Sequence, residues 1–306
     1  MKFVGTVALM VLLGALPGAP LPEFTEWSPP VNLGPDVNSP YLDSCVAISK
    51  NGLSLYFSSN RQSPGPTGNS ANRDLYVSQR DSADAPWGAP QPLAMLNTPV
   101  WDSCPALSLD EHRFYFTSPR PGTCGGQDMW VSRRQDRRDD FGWEPPANLG
   151  CAPDGPNSPA NDLVPTFFED EEGRVVMYFA SNRSGNLDHY QAVMRPDDTF
   201  GPGTVVTELG AGGCPAVRRD GLEIILCSSR SGGLGGSDMW MATRESTRDA
   251  WSTPVNLTVL NTAYSDNGRL GLSFDGRTLY FTSNRPGTLG LGDVCVTTRE
   301  KLRGKK

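Results

Sequence analysis

A box of the form Asn-[Ser/Thr]-x-x-x-Asp recurs at Asn38 to Asp43, Asn97 to Asp102, Asn157 to Asp162 and Asn261 to Asp266. Carboxylates gathered at one place would suit Ca²⁺ or a cationic ligand, because a hard cation takes several oxygen ligands at once. They would also suit glycoside hydrolysis if two of them stood in unlike environments, one protonated as acid and one ionised. The competing reading is architectural: Asx side chains close turns on nearby backbone amides, and a box copied this regularly behaves as scaffold, each Asp bonded to local amides or to an arginine. Counting back from the turn at Asp275-Gly276 puts Asn267 in place of Asp266, so the last member of the set is ambiguous.

A second set is Ser-x-Arg at the end of an apolar run, with Arg61, Arg120, Arg183, Arg230 and Arg285. A Gly-rich stretch then leads to Asp74, Asp128, Asp188, Asp238 and Asp293. Guanidinium forks hold anions in bidentate fashion. Repetition in every unit instead predicts an internal pair, Arg61 with Asp74 and so on through Arg285 with Asp293.

The elements that carry these residues are four per unit. A short strand ends in a tight turn at Asn51-Gly52, Asp110-Glu111, Glu172-Gly173, Asp220-Gly221 or Asp275-Gly276, mostly dipeptides that favour two-residue hairpins. The Ser-x-Arg strand and the Asp strand follow. The fourth element is Trp-x-x-Pro-x-x-Leu, beginning at Trp27, Trp87, Trp143 and Trp251, with a degenerate copy at Phe200. Five copies of four short strands predict an all-β, five-bladed β-propeller over residues 20–299, four antiparallel strands to a blade. Because the Trp element comes first and is missing last, the Trp27 strand is expected to complete the fifth blade and close the ring. The Trp residues read as packing anchors.

In that arrangement one face collects the long loops: Gln62 to Arg73, Asn97 to Ser103, Cys151 to Asp162 and Asn261 to Asn267. Binding residues concentrate on such loops. Cys124 and Cys151 fall in neighbouring loops of this face, which predicts a disulfide between them. Cys45, Cys104 and Cys214 share one inner-strand position and read, with Cys227 and Cys295, as buried small hydrophobes. Blade four departs from the Asn–Asp box at Gly212 and Gly213, and His189 replaces an apolar residue.

The 33 Gly and 27 Pro among 306 residues disfavour a helical bundle. A net charge of −7 argues against nonspecific nucleic-acid binding. Residues 1–19, with Lys2 before the apolar run from Phe3 to Leu13, have the form of a secretory signal and are too short to span a bilayer. The expected setting is secreted or periplasmic, with no transmembrane span in the mature chain. Residues 300–306 are a basic tail. With histidine only at His112 and His189, a His-dependent triad is poorly supported, and no phosphate loop, zinc spacing or dinucleotide fingerprint is present.

The stretches Leu279 to Gly287 and Gly125 to Val131 resemble the WD40-like repeats of TolB-type β-propellers. The Trp143 to Gly150 segment looks most like propellers of bacterial envelope proteins that carry OmpA-like modules, although no such module is present here. The resemblance implies a fold and a habit of binding. On that basis the expectation is a non-catalytic propeller that binds a protein or a cell-envelope glycan through the loop-rich face, with Asp43, Asp102, Asp162 and Asp266 as ligand residues, no organic cofactor, and Ca²⁺ as the one ion the carboxylates would suit. The alternatives are a glycan-processing hydrolase with carboxylates at the channel mouth, and a structural module of an envelope complex. No Glu occupies the inner-strand position; Glu111, Glu169, Glu171 and Glu172 sit at the opposite turns.

Overall fold

The computed structural model describes residues 23–61 and 72–302. The signal-like segment 1–19, loop residues 62–71 and the tail residues 303–306 lie outside the described residues. Among the described residues, twenty strands form five antiparallel sheets of four. After β1 (Val31–Asn32), blade 1 holds β2 (Asp43–Ile48), β3 (Ser54–Ser59), β4 (Asp74–Gln79) and β5 (Gln91–Pro92). Blade 2 holds β6 (Ser103–Leu107), β7 (Arg113–Ser118), β8 (Asp128–Arg133) and β9 (Ala147–Asn148). Blade 3 holds β10 (Asp162–Glu169), β11 (Val175–Ser181), β12 (Asp188–Val193) and β13 (Thr204–Val205). Blade 4 holds β14 (Gly213–Val217), β15 (Glu223–Ser228), β16 (Asp238–Thr243) and β17 (Val255–Asn256). Blade 5 holds β18 (Asp266–Leu272), β19 (Thr278–Ser283) and β20 (Asp293–Thr298), and β1 completes it by pairing Val31 with Val296 and Asn32 with Cys295. The chain is a five-bladed β-propeller whose ring is closed by the strand that follows Trp27.

The second strand of each blade is apolar on both faces because a blade packs between two neighbours. Leu55, Tyr56 and Phe57 of β3 are fully buried. Tyr56 meets Phe114 of blade 2 edge-on at 5.3 Å between ring centroids. Each such buried side chain contributes about 1.5–3 kcal/mol of transfer free energy. The Trp anchors sit beneath arginines: Arg80 over Trp87, Arg134 over Trp143, Arg244 over Trp251 and Arg299 over Trp27, at 4.2–4.4 Å. This second arginine repeat carries a cation–π contact in four blades and is independent of Ser-x-Arg.

Two backbone devices position the loop-rich face. The inner strands are bulged near their starts, and Cys45, Cys104, Val164 and Cys214, two residues past Asp43, Asp102, Asp162 and Gly212, take positive φ there. The bulge turns these side chains towards the axis, where the Cys45 and Cys104 sulfurs stand 3.5 Å apart as thiols in an apolar cluster with Val164. The glycine pairs of the loops after Ser-x-Arg lie against the next blade. A Cβ on Gly125 would overlap the Pro159 carbonyl, one on Gly235 the Tyr264 carbonyl and one on Gly290 the Tyr41 carbonyl, so only glycine allows that approach.

Candidate functional site

The four box aspartates are at the loop-rich ends of the inner strands and are completely buried. Asp102 shows the common arrangement: Oδ2 accepts from the Thr98 amide at 2.6 Å and the Thr98 hydroxyl at 2.7 Å, while Oδ1 accepts from Arg120 Nη2 at 2.6 Å. Asp43 and Asp266 repeat it with Arg61 and Arg285 at 2.6 and 2.7 Å, and Asp162 with Arg183. Their oxygens are already engaged, so the carboxylates form struts rather than an open ring. Among the described residues, no group of three or more His, Cys, Asp and Glu side chains is placed to hold a metal ion. The box asparagines act across the blade junction. Asn97 accepts from the Leu75 amide at 2.7 Å and donates to the Leu75 carbonyl at 3.0 Å, and Asn38, Asn157 and Asn261 do the same at their own junctions.

The arginine partners therefore differ from the sequence expectation. Arg61, Arg120, Arg183 and Arg285 pair with the inner-strand aspartates, not with Asp74, Asp128, Asp188 and Asp293. Both aspartates flank the same serine in the ladder, as Asp43 and Asp74 flank Ser59. The arginine turns inward because the loop carbonyls it also bonds, such as Leu96 O at 2.6 Å, lie on that side. The aspartate on the other side caps the Gly-rich loop. Asp128 Oδ2 accepts from the Cys124 amide and from Asn148 Nδ2, both at 2.7 Å, and Asp293 accepts from the Leu289 amide and Asn32 Nδ2 at 2.8 Å. Asp238 likewise accepts from the Leu234 amide and from Asn256, and Asp188 from the Ser184 hydroxyl.

Three blades break the symmetry, blade 3 by presenting Val205 on its outer strand. In blade 1 the outer strand presents Pro92 where blades 2, 4 and 5 present an asparagine. Proline has no side-chain amide to give, so the Asp74 carboxylate lacks the cap that Asn148, Asn256 and Asn32 provide in blades 2, 4 and 5. Burial, and then the Asp102 carboxylate, raise its pKa above the ordinary 3.8. Beside it, the Arg73 guanidinium lies 4.5 Å over the half-buried Trp101 ring. The Tyr76 hydroxyl, two residues along β4, is buried with no hydrogen-bond partner, and burial, then Asp74, push the phenol up to about 12. In blade 4, Gly212 stands where the other blades have the box aspartate, and Arg230 has no carboxylate partner among the described residues.

Cys124 and Cys151 form a disulfide. His112 lies at a short turn, where its Nδ1 is 3.1 Å from the Arg134 carbonyl. At that end of the axis Glu111 accepts from the Lys50 amide at 2.6 Å, and Lys50 and Arg219 flank the Phe274 ring. Sequence reasoning passed over Trp101, Tyr41 and Tyr264. They occupy the variable positions inside the Asn–Asp box, and blade-to-blade variation within an otherwise fixed motif was the available signal.

No family model matches the chain, and no curated protein matches it. Among solved structures, the α-L-arabinofuranosidase PaAbf62A from Podospora anserina, solved with cellotriose, superposes at TM-score 0.57 with 13% identity, covering 92% of this chain and 98% of that one. An α-L-arabinofuranosidase from Lactobacillus brevis gives TM-score 0.54 and 16% identity over 90% and 95% of the two chains. TolB from Acinetobacter baumannii gives 0.46 at 12% identity, over 85% of this chain and 55% of that one, a superposition too loose to carry an argument. These likenesses establish the five-bladed fold. Against the expectation of a non-catalytic binder akin to the envelope propellers, the similar structures that cover 88–92% of this chain and 95–100% of their own are arabinofuranosidases, arabinanases, a xylosidase and a further glycoside hydrolase, at 10–16% identity.

Proposed function

We propose that the protein processes a glycan on its loop-rich face, at the junction of blades 1 and 2, with Asp74 as the proton donor. The observation that carries this reading is the Asp74 carboxyl beside the buried Asp102 carboxylate, with Pro92 on the outer strand where blades 2, 4 and 5 carry the capping asparagine. Hydrolysis of a glycosidic bond needs one carboxyl group held protonated near working pH, and burial next to a fixed negative charge favours that state. Asp102, locked to Arg120, would act on Asp74 through its charge and not as a nucleophile; as the leaving-group oxygen takes the Asp74 proton, water adds at the anomeric carbon and its proton returns to the Asp74 carboxylate. Trp101, half-buried under the Arg73 guanidinium, puts an aromatic edge near Asp74 against which a sugar can pack. The glycosidase propellers of similar span support the same substrate class, and the apolar run from Phe3 to Leu13 supports an extracytoplasmic setting.

The test is product release from a panel of oligosaccharides, neutral pentose- and hexose-based, by the purified protein. Turnover by the wild type that is lost in Asp74→Asn, with the thermal transition unchanged, is the expected result. Turnover that survives Asp74→Asn would remove Asp74 from the proposal.

A further inference from the structure

Four of the five Ser-x-Arg arginines neutralise an aspartate of their own blade. Arg230 does not. The Gly212 amide donates to the Leu187 carbonyl at 2.8 Å, as the Asp102 amide donates to the Arg73 carbonyl, so Gly212 holds the aspartate position in register. Arg230 keeps the loop contact, Nη2 to Leu209 O at 2.7 Å, and adds Ala211 O at 3.1 Å. Ser228, whose counterparts accept from the arginine Nε, donates instead to Ala211 O at 2.8 Å. The Nε and Nη1 donors of a partly exposed guanidinium are thus left without a protein acceptor among the described residues.

A second observation falls at the same glycine. This junction lacks the asparagine clamp, and the fully buried His189 takes its place with Nδ1 at 3.2 Å from Gly210 O. Its Nε2 is buried and makes no hydrogen bond. A Cβ on Gly212 would stand 3.1 Å from His189 Cε1 and 2.6 Å from the Cys227 carbonyl, so the chain cannot supply a carboxylate of its own here. Leu187, exposed, lies against Gly213, and Leu234, also exposed, is in the loop that follows Arg230.

We infer that Arg230, over Gly210 to Gly212, is a subsite for a ligand carboxylate, and that the carboxylate is that of a uronic-acid residue in the glycan. The inference rests on the glycan reading given above. An external carboxylate would restore the ion pair that the other four blades make internally, through one charge-assisted contact to the Nε or Nη1 donor. The leucines would flank the apolar face of the sugar ring.

Calorimetric titration tests this with trigalacturonate, its methyl ester and xylotriose, each on the wild type and on Arg230→Gln. The acid should bind the wild type ~10–100-fold more tightly than its ester, as for one charge-assisted contact, and Arg230→Gln should abolish that preference while changing xylotriose affinity less than about twofold. Equal binding of acid and ester by the wild type, a comparison independent of how the variant folds, overturns the subsite, as does a preference that persists in Arg230→Gln. In either case, binding of xylotriose or the ester leaves the glycan reading intact. Binding of none of the three overturns the glycan reading and the subsite together.

Discussion

Arg120 donates to Asp102 at 2.6 Å across its own blade, whereas the Arg230 guanidinium, at the same place in blade 4 where Gly212 replaces the aspartate, donates only to backbone carbonyls among the described residues. One geometry is a strut and the other an unfilled version of it. Departures of this kind from five-fold repetition are where a ligand can be recognised, because what every blade shares must first serve the fold.

The strut should be visible in stability. Arg120→Met leaves the buried Asp102 charge uncompensated and is expected to cost about 3–5 kcal/mol. Arg230→Met forfeits hydrogen bonds to two carbonyls and should cost about 1–2 kcal/mol. Urea unfolding of both variants checks the ratio; equal losses would mean that Arg230 is as structural as the others.

The disulfide ties the loop of blade 2 to the entry of blade 3 across a sequence separation of 27. Restricting the unfolded chain over such a loop is worth about 3–4 kcal/mol. Cys124→Ser with Cys151→Ser should lower the unfolding free energy by that amount, and a reductant should then have no further effect on the unfolding midpoint.

Burial lowers the His189 pKa below 6.5. A group depressed on folding contributes stability that is whole above its unfolded value and is lost as pH falls through that value towards the folded one. Between pH 7 and pH 5 the wild type should therefore lose more stability than His189→Leu, which carries the residue type of Leu75 in blade 1. Parallel melting-temperature profiles for the two proteins would refute the assignment.

Ring closure depends on the approach of Gly290 to the Tyr41 carbonyl, reinforced by the Leu291 amide donating to the same oxygen at 3.0 Å. Gly290→Ala should cost about 1–3 kcal/mol by overpacking this seam. Fluorescence-monitored unfolding should show the loss, with Ser229→Ala as an exposed control that shows little.

The blade count, strand order and closure by the Trp27 strand were legible because five copies of each element constrain one another. The partner of each arginine was not. Chain order separates Arg120 from Asp128 by a short loop, but the antiparallel ladder puts Asp102 and Asp128 on either side of Ser118, and the choice is made by a carbonyl contributed by an inner loop. The disulfide was readable from the shared face of its two loops. Asp74 read as one of five equivalent scaffold aspartates because what sets it apart lies on another strand, where Pro92 replaces an asparagine.

The most direct measurement is kcat/KM for the best oligosaccharide substrate of the wild type, set against Asp74→Asn at equal fold content. Loss of the proton donor predicts a fall of ~10²–10⁴-fold with an unchanged melting temperature. An Asp74→Asn enzyme within a few-fold of the wild type would contradict the account.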